Sequence, residues 1–310
     1  VSGRIIVLLY VFLAIAQGIP YLLVKIAVAD IDPTVLVLVR AGGAALLLLP
    51  IAAWRRELQP ALRHWRAILA YATAEFALPW LLTGVAELSL PSSMTGLLIT
   101  AVPLLGVGIG LFLGTGERLS RLNVGGLVLG VCGVALLVGI SLPPALLSAA
   151  MLVLLVGVGY AVGAAILAVF LRKVPATAVT ALSFGAVALA YLPVVVFTAA
   201  WPTSLPSWST IVSLAILVVV CSAGAFLALA VLVRRIGPVR TATVTYLNPL
   251  VAVAVGVAVL GETLRATTLI GLGVILAACI LSTTSASRSN QGITQGRSHV
   301  ARRIHQQPRN

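Results

Sequence analysis

The chain is written as a succession of long apolar blocks separated by short polar punctuation. Most blocks run for 18 residues or more, enough to cross a bilayer as a helix. Charges, Pro and Gly mark the breaks. They predict helices over residues 5–28, 34–53, 67–87, 92–113 and 122–140, then over 147–171, 177–200, 209–233, 239–260 and 266–284. Strict period-two alternation is absent, so a membrane β-barrel does not fit the pattern. Residues 285–310 are rich in Ser, Gln and Arg and carry no apolar period. They are expected to form a disordered, basic, cytoplasmic tail.

Composition agrees with the pattern. Of 310 residues, 61% are hydrophobic and 9% charged, with a mean hydropathy of +1.16. A soluble domain keeps roughly a quarter of its residues charged. The start of the chain imitates a signal peptide: Arg4, an apolar run Ile5–Leu13, then Ala14-Ile15-Ala16. The apolar stretch continues to Val28, however, so an uncleaved first helix is expected.

The net charge of +13 is placed in a way that says more than its size. With the N-terminus inside, 17 of the 20 Lys and Arg residues fall in the tail or in inner segments. Lys25 and Arg40 lie within helices, and Arg265 alone sits in an outer loop. This is the positive-inside distribution, and it predicts ten helices with both termini in the cytoplasm. Basic residues dispersed in this manner do not form a nucleic-acid surface.

The chain also repeats itself. Pro103 precedes Leu113-Gly114-Thr115-Gly116-Glu117-Arg118-Leu119, and Gly125-Gly126 follows. Pro249 precedes Leu260-Gly261-Glu262-Thr263-Leu264, and Gly271 and Gly273 follow. Five helices per repeat is an odd number, so Glu117 falls inside, Glu262 outside, and the repeats are inverted. Inverted repeats are a building plan of secondary transporters, with the substrate held near the midplane between them. The twice-written motif resembles the EamA family of the drug/metabolite transporter superfamily, and Lys25 and Arg40 resemble its usual pattern. The resemblance covers about residues 5–284. It implies two five-helix repeats, placed here at 1–141 and 142–284, in an all-α integral membrane protein of ten transmembrane helices. It also implies a carrier of the plasma (inner) membrane, often an exporter of amino acids, metabolites or drugs.

Ionisable groups inside a bilayer cost at least about 2–3 kcal/mol and need a reason. Glu75 lies roughly 12 Å along the third helix at 1.5 Å per residue, close to the midplane. It reads as a proton-coupling or amine-binding carboxylate, because desolvation favours its protonated form. It reads equally as a buried partner of Arg40 or Lys25. Arg40 can hold a substrate carboxylate, neutralise Glu75 or snorkel outward. Lys25, within a turn of the outer end, can reach the headgroups. Gln17, Tyr21 and Lys25 share one helical face by their spacing of four, as do Tyr71, Glu75 and Pro79 with Trp80 beside them. In the second half Tyr160, Tyr246 and Asn248 fall near mid-membrane. Pro103 and Pro249 each remove a helical hydrogen bond and are candidate hinges. Gly106, Gly110 and Gly114, and Gly126 with Gly130, form small-residue ridges that let helices approach. The Gly-Glu pairs at 116–117 and 261–262 read as turn-shaping.

Other chemistries find little support. The chain has no G-x-x-x-x-G-K-[ST] loop for ATP and no G-x-S-x-G for a serine nucleophile. His64, His299 and His305 lie in a loop and the tail, without metal-ligand spacing. Cys132, Cys221 and Cys279 stand alone in separate apolar segments and read as small hydrophobes. No cofactor and no metal are expected. The expected partners are a small-molecule substrate, the bilayer and, for a coupled carrier, protons. A lipid or lipid-carrier flippase of the same architecture is the main alternative. A membrane-embedded enzyme is a more distant one.

Overall fold

The computed structural model describes residues 3–100, 102, 105, 124–126, 128–133, 146–237, 241, 244, 247–262, 266, 269–274 and 276–278. Pro103, Glu117, Tyr246, Cys279, the Gly106–Gly110–Gly114 ridge and the 285–310 tail therefore lie outside the described residues.

Among the described residues the regular structure is helical, and six helical stretches are long and apolar enough to span a membrane. The first joins α1 (Gly3–Gly18) to α2 (Pro20–Ala27), the second is α3 (Pro33–Trp54), and short α4 (Leu58–Leu62) follows in the loop. The third runs from α5 (Trp65–Ala72) through a π-helical turn, Thr73–Ala77, into α6 (Leu78–Glu87). After α7 (Ser92–Ile99) come α8 (Leu147–Phe170) and α9 (Ala176–Phe197). The sixth stretch runs from α10 (Trp208–Ile216) through a π segment, Leu217–Gly224, into α11 (Ala225–Ile236). Shorter apolar α12 (Asn248–Leu260) and the stretches Val124–Gly133 and Leu269–Ala278 accompany them.

Three of the predicted helices are less regular than their apolar runs suggest. Pro20 has no N–H to donate to Ala16, and the first helix breaks at Ile19. Pro79 likewise cannot donate to Glu75, and just before it the third helix widens, with the Leu78 N–H reaching back to the Thr73 carbonyl. Tyr191 on α9 donates to the Ala77 carbonyl at 2.8 Å, tying the end of the widened turn to the second half. Corresponding third helices of the two halves both carry such a π segment.

Helices pair across the halves. α3 lies along α9, α6 along α8, α7 along α12, and α1 along α11. The first helix of each half thus packs on the third helix of the other, and the two second helices pack together. The main apolar core gathers around Phe76, Phe184 and Leu48, between α3, α5, the first π turn and α9. Large apolar side chains such as Leu46, Leu155, Leu189 and Phe197 remain exposed around the outside, as a lipid-facing surface requires.

Candidate functional site

A cavity of about 330 Å³ opens where the halves meet. Its wall takes residues from both: Gln17, Tyr21, Arg40, Glu75, Phe76, Trp80 and Thr83 from the first, Tyr160, Cys221, Phe226, Asn248 and Pro249 from the second.

Glu75 is delivered by the π turn. A π turn adds a residue to the helical circuit and shifts the angular register around it, which places Glu75 at the cavity wall. Opposite it, α8 presents Gly159 and Gly163, four apart on one face. A Cβ on Gly159 would meet the Ala74 carbonyl oxygen at 2.7 Å, and one on Gly163 would meet the Glu75 Oε2 at 2.3 Å. Bare glycines are what allow the widened turn to seat here.

Arg40 is buried, and among the described residues no carboxylate pairs with it. Its Nε donates to Ser222 Oγ at 3.0 Å, and its guanidinium lies over the Trp80 ring, 3.8 Å from the centroid. A desolvated stack of this kind is worth about 2 kcal/mol. Ser222 belongs to the second π segment, so each π segment supplies one polar group to the site. Around them Phe76 meets Trp80, Phe184 and Phe226 with ring centroids 4.7–5.4 Å apart. These rings fix the Trp80 plane and give the cavity an aromatic floor.

The other sequence candidates divide. Gln17, Tyr21, Tyr160, Asn248 and Pro249 line the cavity. Asn248 Nδ2 donates to Gln17 Oε1 at 3.2 Å, while its own Oδ1 is buried without a partner. Tyr71 does not reach the cavity. It packs in the main core, edge-on to Phe76 at 5.5 Å, because the π turn breaks the four-residue register linking it to Glu75. Lys25 lies in a second, open cleft with Asp30, Ser207, Ser209 and Glu262, and its Nζ donates to the Glu87 main-chain carbonyl. Glu75 therefore pairs with neither cation. Phe76, Phe226, Cys221 and Thr83 are cavity residues that apolar character or lack of charge had hidden.

Two carboxylates at the rim of that second cleft fasten one half to the other. Gly261 adopts a left-handed φ of 64° at the end of α12, a turn that favours glycine. It brings Glu262 onto the N-terminus of α7, where the Ser92 and Ser93 N–H groups donate to it at 2.7 and 3.0 Å and Ser92 Oγ at 2.9 Å. Partial burial pushes the Glu262 carboxyl up, but the hydrogen bonds from Ser93 and Ser92 together outweigh it and hold it below its ordinary value. The turn-shaping residue of the repeat motif is thus a helix cap. Asp30 does the same for α10: the Ser207 N–H donates at 2.9 Å, the Thr210 hydroxyl at 2.7 Å, and the Ser207 hydroxyl also donates. The Ser207 and Thr210 hydrogen bonds hold Asp30 below the usual carboxylate range.

The family model for the EamA-like transporter family matches twice, at residues 4–139 and 147–284. The chain belongs to the EamA-like transporter family. A solved crystal structure, described only as that of a protein, superposes with a TM-score of 0.65 at 19% identity, covering 93% of this chain and 99% of that one. At that identity the likeness concerns the fold alone. No curated protein matches the sequence significantly. As a member of a transporter family, this EamA-like protein is a multi-pass membrane protein of transporter type, and the cavity between its two matched repeats is its candidate transport site.

Proposed function

We propose that this EamA-like transporter is a secondary carrier that moves a small organic solute by alternating access of two inverted five-helix repeats. Ten helices, both termini in the cytoplasm and residence in the plasma membrane complete the reading, supported by the 17 of 20 basic residues in the tail or in inner segments. Lys25, Asp30 and Glu262 then mark the outer face, and Arg63 and Arg66 the inner. Export is the direction the family resemblance favours.

The observation that carries the proposal is the cavity itself. It is built by both halves and holds one carboxylate, one guanidinium and an aromatic floor. At about 330 Å³ it sits at the low end of small-molecule pockets. That volume suits a solute of amino-acid or small-amine size. Glu75 receives either a proton or the ammonium of the substrate. Because one carboxylate cannot hold both, solute and proton exchange for one another across the membrane. Arg40, fixed by Ser222 and Trp80, is the complementary site for an anionic group. Apolar parts of the solute lie against Trp80, Phe76 and Phe226.

The test is counterflow in proteoliposomes with a pool of amino acids, small amines and cationic dyes. Saturable exchange of a pool member, lost when the cavity is filled at its wall residue Ala164 by Ala164→Trp, supports the carrier. Flip of a labelled lipid with no solute exchange points instead to a flippase.

A further inference from the structure

Glu87 ends α6, and no role described above uses it. At the end of a span a carboxylate ordinarily meets water. Here the residue has no exposed surface, and neither Oε1 nor Oε2 has a hydrogen-bond partner. An ionised carboxylate cut off from the solvent surface is costly to keep, whereas the neutral acid tolerates such a place.

Its position is as telling as its isolation. One turn earlier on the same face of α6, Thr83 lines the central cavity, and its Oγ1 is also buried without a partner. Just beyond it, Ser89 and Pro91 line the open cleft with Lys25 and Glu262. Glu87 thus occupies the partition between cavity and cleft.

The charged and polar groups around it come from α2, α3, α7, α8 and the turn after α12. From α2, Lys25 Nζ donates to the main-chain carbonyl of Glu87 and leaves its carboxylate alone. From α3, Arg40 donates its Nε to Ser222 and lies over Trp80, and no hydrogen bond joins it to the Glu87 carboxylate. After α12, Glu262 is committed to Ser92 and Ser93. Tyr21 of α2 and Tyr160 of α8 complete the ionisable neighbours. On α7, Thr95 stands beside the Glu87 carboxyl, with its hydroxyl donated to the Pro91 carbonyl at 3.3 Å. Lys25, held on the main chain of this residue, is therefore the cation placed to meet its carboxylate.

We propose that Glu87 is a proton site at the outer gate, neutral while the gate is closed and ionised against Lys25 when it opens. On opening, the carboxylic O–H bond breaks and its proton passes to water in the cleft. The Lys25 ammonium then moves from the main-chain carbonyl to the carboxylate. Closing reverses both steps, taking the proton back from water. The inference rests on the carrier reading for its purpose, but not on Glu75 being the coupling group.

The experiment is infrared spectroscopy of the full chain in lipid nanodiscs, following the carboxylic-acid C=O band across pH. The band of the wild type at neutral pH should lose a component in Glu87→Gln, and that component should remain in Glu75→Gln. In Lys25→Met, which keeps Glu87, the same component should persist to buffers more alkaline by about one to three pH units, because the ionised form has lost its counter-ion. A Glu87→Gln spectrum superimposable on wild type overturns the proposal. So does a Lys25→Met band with an unchanged midpoint, a measurement that stands even if Glu87→Gln fails to fold. Neither readout requires transport, so failure of the carrier reading would appear separately, as absent counterflow in every variant.

Discussion

Gly163 and Glu75 meet across the two halves of the chain so closely that a Cβ on the glycine would stand 2.3 Å from the carboxylate Oε2 and 3.1 Å from the glutamate Cβ. The position of the central acid is thus set by what α8 omits. Gly163→Ala should fold, since a flexible side-chain end can give way, yet displace the carboxylate from the cavity wall. Solute exchange should fall on the order of tenfold, equivalent to about 1.4 kcal/mol at the site. Counterflow rates beside size-exclusion profiles check this.

Gly159 makes the contrasting case. Its added Cβ would strike the Ala74 carbonyl oxygen at 2.7 Å, which is backbone and cannot swing aside. Gly159→Ala should therefore cost stability, about 1–3 kcal/mol as overpacked cores do. Thermal unfolding of the purified protein should show a clear drop for this variant and a small one for Gly163→Ala.

Much of this arrangement was legible in the sequence, and the remainder was hidden for identifiable reasons. Apolar block length anticipated the six spanning stretches among the described residues, and depth within a block singled out Glu75 and Arg40. Tyr71 was misplaced because face assignment by fours assumes an unbroken α-helix, and the π turn at 73–77 breaks it. Glu87 was overlooked because a carboxylate at a block's end looks like a loop charge. The partners of Arg40, Trp80 and Ser222, lie 40 and 182 residues away in sequence. No local period connects them.

The Arg40 stack on Trp80 should be worth measuring directly. Trp80→Leu removes the ring face from a desolvated guanidinium and should lower stability by about 2 kcal/mol or more. Trp80→Phe keeps a face and should retain most of it. Chemical unfolding of the three proteins in one detergent decides between them.

Acidification should loosen the outer face. Asp30 and Glu262 both titrate below their ordinary values of 3.8 and 4.5 in the folded protein. A lowered carboxyl stabilises fully above its unfolded value, and that contribution is lost as pH falls through the folded one. Thermal stability should hold down to the ordinary carboxylate range and decline below it. In the Asp30→Asn, Glu262→Gln double variant the decline should be shallower, from a lower starting stability.

Topology offers a further check. In a Cys132→Ser background, a cysteine replacing exposed Ser204 should react with an impermeant maleimide on intact cells, and one replacing exposed Arg63 should react only after lysis. The opposite pattern would invert the assignment of faces.

The most direct test of the central claim is solute flux in proteoliposomes under an imposed pH gradient, wild type beside Glu75→Gln. The account predicts gradient-driven accumulation by the wild type and none by the variant, whose fold and size-exclusion profile stay normal. A normally folded Glu75→Gln protein that answers the gradient as the wild type does would contradict it.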